Sequence, residues 1–145
     1  MKTNALAARL LRSTLALAAG ACLFGANLAF AADTKVTLSG AEVVPPVETA
    51  ASADGVVTVG DDHAVSGKVK IKGLTPFVAH IHLGEMGKNG PPIIFLEKTG
   101  DDVWSVVKDA KLTDEQFAAY KAGKLYFQFH TEAHRPGEIR GQIKP

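Results

Sequence analysis

Residues 68–72 read Lys68-Val69-Lys70-Ile71-Lys72, and this strict alternation of charged and β-branched side chains decides the fold class. Side chains on an extended strand point to opposite faces in turn, so Val69 and Ile71 share one face and the three lysines share the other. A strand that is apolar on one side and wet on the other belongs to an antiparallel sheet with one solvated face. Outward from this stretch, short runs rich in β-branched and aromatic residues recur between Gly, Pro, Asp and Asn at intervals of roughly 8–12 residues, as in a sandwich or barrel. The runs lie at 34–39, 55–59, 64–73, 77–83, 93–98, 103–108, 124–131 and 138–143, with Gly60-Asp61-Asp62-His63 as a turn between two of them.

One segment, Leu112 to Gly123, breaks the β pattern. Thr113 is placed to cap a helix, Gln116 three residues later completes a capping box, and Gly123 ends the segment in a left-handed conformation. The expected fold is therefore all-β, an antiparallel β-sandwich or barrel with one short crossover helix.

The first residues stand apart from that fold. Lys2, Arg9 and Arg12 precede an apolar stretch that ends in Ala29-Phe30-Ala31, which is the pattern of a secretory leader over 1–31 with cleavage after Ala31. A lipoprotein reading through Cys22 is the weaker alternative, because Ala19-Gly20-Ala21-Cys22 lacks the usual Leu. Removing the leader takes three of sixteen basic residues and the sole cysteine, so against fifteen acidic residues the formal charge moves from +1 to about −2. Such a balance, with no basic stripe, argues against a nucleic-acid partner. No second long apolar run follows, so no membrane span is expected in the mature chain. Its length, 32–145, suits one domain with a single core, in a periplasmic or secreted location.

The chemistry concentrates in two stretches. In Phe77 to Pro92, reading FVAHIHLGEMGKNGPP, His80 and His82 share one strand face and Ala79, Ile81 and Leu83 the other. In Leu125 to His130 the same rule sends Leu125, Phe127 and Phe129 inward and sets His130 beside Gln128 and Tyr126. Both stretches run from a His-bearing apolar strand into a Gly/Pro loop. If the two strands are neighbours, three imidazoles converge on one ion, with His134 in the following loop and Met86 four residues after His82 as further donors. Imidazole suits copper, zinc and nickel, and a thioether biases a site toward reduced copper.

Taken alone, His80-x-His82 reads first as a solvated strand face, and only His130 and His134 in a second His-bearing strand and loop bring metal binding level with it; His63 reads as a turn residue and Met86 as loop packing. Gly84, Gly87 and Gly90 with Pro91-Pro92 shape a tight crossover, or fence a site beside His82. Glu138 and Arg140 share a face and read as an exposed cross-strand pair of small energetic weight. No calcium-binding loop, nucleophile elbow or cysteine nucleophile is present in the mature segment.

Three ordered blocks resemble a known family: Leu38–Val59, Ala79–Leu96 and Ala122–Ile143. Together they are similar to the CHRD domain, named from chordin. The resemblance implies an immunoglobulin-like or Greek-key β-barrel distantly similar to Cu,Zn superoxide dismutases, and it matches the family's His-x-His at His80 and His82 and its His-Thr at His130-Thr131. His134 stands near a position where the family commonly has Asn, so it is not carried over from the family. No His/Asp cluster for a zinc and no disulfide is apparent, which argues against dismutase activity and for a non-enzymatic role.

The resulting expectation is a metal site of His80, His82 and His130 completed by His134 or Met86, with copper first and zinc second as the cofactor. Its binding should weaken toward pH ~6 as ordinary histidines protonate. The alternative from another class is a metal-free extracytoplasmic module that binds a protein or glycan partner.

Overall fold

The alternating runs form strands. The computed structural model describes residues 31–145, so the leader reading falls outside the described residues except for Ala31. Among these residues the strands are β1 (Asp33–Ser39), β2 (Ser52–Val59), β3 (Val65–Lys72), β4 (Val78–Leu83), β5 (Pro92–Lys98), β6 (Val103–Val106), β7 (Leu125–His130) and β8 (Ile139–Ile143), with one α-helix, α1 (Asp114–Lys121), between β6 and β7. In β3, Val69 and Ile71 are buried and Lys68, Lys70 and Lys72 exposed. The same alternation buries Val36 and Leu38 in β1 and Ala53, Val57 and Val59 in β2.

Every strand pair is antiparallel, and the order β1-β2-β3-β6-β5-β4-β7-β8 closes on itself through Ser39 opposite Arg140. A single closed sheet forms, rather than the two separate sheets of an immunoglobulin-like sandwich. Among the described residues, closure leaves no free edge along which another strand could add. Two connections depart from a simple meander: β3 to β4 passes over β6 and β5, and β6 to β7 passes over β5 and β4. Each is a Greek-key crossover. The second carries α1, whose Thr113 capping box is present and whose exit uses Gly123 at φ +71°. Buried Tyr120 and half-buried Phe117 turn the helix toward the barrel, where Phe117 stacks on His63 at 4.2 Å.

Phe127, Phe129, Ile81, Ile139, Val57 and Val69 fill the interior, and Trp104 meets Phe129 edge-on at 5.8 Å. The outer side departs from expectation at one place. β7 and β8 are buried at every position, not at alternate ones. The 84–92 loop lies over them: Arg140 donates to the carbonyl oxygens of Lys88 and Glu85, and Gln142 to that of Gly84. The 131–138 segment adds Arg135 at His130 and Gly137 against Gln128, so the outward face of Tyr126, Gln128 and His130 is covered, not wet.

Candidate metal centre

β4 and β7 are direct neighbours, with Val78 opposite His130, His80 opposite Gln128 and His82 opposite Tyr126. His80 and His130 are thus diagonal neighbours on the outer face, within reach of long side chains. On the β5 side the register shifts between Ile81 and His82, where Ile93 of β5 is the extra, unpaired residue of a bulge. The ring centroids lie 5.3 Å (His80 to His82), 5.2 Å (His80 to His130) and 5.6 Å (His82 to His130) apart.

Each ring offers one nitrogen to a common point, and these nitrogens all lie within 4.8 Å of one another. Ligands at about 2 Å from one ion sit roughly 3.4 Å apart. Small ring rotations close that gap.

Hydrogen bonds settle which nitrogens are free. The Nδ1–H of His82 donates to the Gly90 carbonyl oxygen at 2.8 Å, and the Nδ1–H of His130 donates to that of Arg135 at 2.8 Å. A carbonyl only accepts, so both rings carry their proton on Nδ1 and hold a lone pair on Nε2. The Nε2 atoms of His82 and His130 and the Nδ1 of His80 are buried without a partner. Metal-ligating histidines are usually oriented in this way, by a bond from the other ring nitrogen.

Burial favours the neutral form of all three rings. Burial, reinforced by the charges His130 and His82 would carry, lowers His80 to about 4. Burial is also the main cause for His82, where the Gly90 carbonyl opposes it and His130 and Arg140 add to it. His130 is lowered by burial against the opposing Arg135 carbonyl. A neutral imidazole is the ligating form, so the expected weakening near pH 6 moves to lower pH.

The other sequence-derived donors lie elsewhere. His134 is half-buried in a turn, its N–H donating to the Thr131 carbonyl and its own carbonyl accepting from Gly137; it is not in the converging group. Met86 is 56 % exposed and borders a surface pocket with Gly123, Lys124 and Gln142. Among the described residues His80, His82 and His130 form the one such group of His, Cys, Asp or Glu side chains.

Glu138 and Arg140 are not an exposed pair. The carboxylate of Glu138 accepts from Thr49 and Thr131, and the guanidinium of Arg140, 1 % exposed, gives its donors to Lys88, Glu85 and Gln142.

The CHRD domain matches residues 34–143. The chain belongs to the CHRD domain family. No curated protein and no solved structure matches it. Within this CHRD domain, sequence reasoning missed Arg140 and Tyr126 as parts of the site's frame. The guanidinium lies 3.5 Å over the Tyr126 ring, and that ring stacks on His82 at 5.0 Å. The Tyr126 hydroxyl also accepts from the Gly90 N–H at 3.0 Å, tying the loop that holds His82. Nothing in the spacing of Arg140 signals this, because two of its three partners, those of Lys88 and Glu85, are backbone carbonyls, which any residue supplies.

Proposed function

We propose that this CHRD barrel is an exported, non-enzymatic metal-binding protein whose His80, His82 and His130 hold a transition metal, copper before zinc. The observation that carries the reading is the set of three buried ring nitrogens without a partner, two of which, on His82 and His130, hold lone pairs because their rings donate through Nδ1–H. Leaving one buried acceptor unpaired costs about 1–3 kcal/mol, and three at one point call for a ligand that completes them. A bound ion would supply Lewis acidity and, for copper, one-electron chemistry. The chain supplies the donors, fixes two rings through carbonyls and buries them under the 84–92 and 131–138 loops. The secretory pattern of Lys2, Arg9, Arg12 and Ala29-Phe30-Ala31 supports export.

Calorimetric titration with Cu(II), and with Cu(I) under reductant, tests the reading. Saturable binding tighter than micromolar that is lost in His80→Ala plus His82→Ala supports it; binding indifferent to those substitutions ends it.

A second reading is favoured by Phe77 and Phe95, 47 % and 57 % exposed, which flank His130 and His80. Exposed aromatics beside the histidines on the outer barrel face suit a protein or glycan partner. A melting temperature unmoved by every divalent metal, with an envelope partner recovered on the wild type and lost on Phe77→Ser plus Phe95→Ser, would place this reading first.

A further inference from the structure

We propose that the three-histidine site selects monovalent over divalent cations and so takes copper in its reduced state; this rests on the metal reading above. The first ground is the charge of the ligands. All three are neutral imidazoles, and no carboxylate or thiolate joins the group among the described residues. The second is the charge of what holds them: His82 and His130 are oriented by carbonyl oxygens, where zinc-binding histidines are often backed by a carboxylate that offsets the metal.

The third ground is a fixed cation. Arg140 sits over Tyr126, and Tyr126 over His82, in steps of 3.5 and 5.0 Å. The guanidinium carbon is therefore no more than about 8.5 Å from the His82 ring centre, and no carboxylate bonds to it. The Glu42 carboxylate acts on the guanidinium through space without bonding to it, so a divalent ion would still put two charges beside a largely unpaired third. A monovalent ion puts one. At an effective dielectric of about 20, the guanidinium alone shifts the preference toward the lower charge on the order of tenfold. The sequence suggests the same oxidation state through Met86, but that thioether is exposed and borders another pocket; charge, not sulfur, carries the preference here. Three donors alone suit reduced copper, a closed-shell ion that accepts three-coordination, whereas zinc on three histidines takes a water or a further ligand to complete its tetrahedron.

The test compares two redox-inert probes, Ag(I) and Zn(II), each titrated into the purified protein in chloride-free buffer and into His80→Ala plus His82→Ala. His80→Asn, at the half-exposed position, replaces the double variant if circular dichroism shows the latter unfolded. The expected result is histidine-dependent binding of both ions, with Ag(I) at least tenfold tighter. Histidine-dependent Zn(II) binding as tight as or tighter than Ag(I) overturns the valence preference and leaves the metal site standing. No histidine-dependent binding of either ion removes both.

Discussion

His82 and Gly90 are joined by a 2.8 Å hydrogen bond from imidazole Nδ1–H to carbonyl oxygen, so the loop after β4 holds the tautomer of a histidine within β4. The position demands glycine: a Cβ at Gly90 would overlap the Leu83 carbonyl oxygen. Gly90→Ala should therefore displace the loop and free the ring. Losing a partner of this kind typically costs 10–100-fold in metal affinity, to be read by the same titration as the wild type. An affinity within twofold of wild type would mean that the loop does not orient His82.

The metal-free protein should lose stability as pH falls from about 6.5 toward 4. Unfolded histidines take up protons near 6.5, whereas His80 in the fold does so at about 4, and His82 and His130 are lowered as well. The unfolded state thus binds more protons in that window, and stability present above it is lost on descending through it. After discounting for the half-exposure of His80, its share is on the order of 1–2 kcal/mol. Urea unfolding at pH 7 and pH 4.5 should show a smaller drop in His80→Ala than in the wild type. An equal drop would contradict the lowered value.

Arg140→Ala should be the costliest single change outside the hydrophobic core. It strands the carbonyls of Lys88 and Glu85 and the Gln142 amide oxygen, and it empties the space over Tyr126. A loss of about 2–4 kcal/mol in urea unfolding is expected, in line with the breaking of a buried polar network. Lysine should not rescue it, since one ammonium cannot reproduce the planar, forked donor set. A change below about 1 kcal/mol would show that the 84–92 loop is held by other contacts.

Phe95→Ser removes an exposed ring that meets His80 edge-on at 4.7 Å. As a rim residue it should shift stability by no more than about 0.5 kcal/mol and leave copper affinity within a few-fold. A large affinity loss would mean that the ring shields His80 from water as part of the site.

Much of this was legible from residue order, for physical reasons that differ by element. The period of two in Lys68–Lys72 and the capping pattern Thr113-x-x-Gln116 are local, so the strands and the helix could be read directly. That His80 and His82 face one way is local too. Their meeting with His130 is not, because it depends on β4 pairing with β7 across an intervening hairpin and helix. Barrel closure through Ser39 and Arg140 is likewise non-local, which is why alternation alone left sandwich and barrel open. His134 offers the same chemistry as His130 four residues earlier, but its turn keeps it out of the converging group. Full burial of β7 and β8 was illegible, because the loop that covers them binds through backbone carbonyls.

Three donor atoms at one point are the core of the account, and a crystal structure of the copper-loaded protein with anomalous scattering at the copper edge tests it most directly. The predicted result is one ion about 2 Å from His80 Nδ1, His82 Nε2 and His130 Nε2. An ion bound through His134 or Met86, or at any place that leaves those three nitrogens unligated, would contradict it.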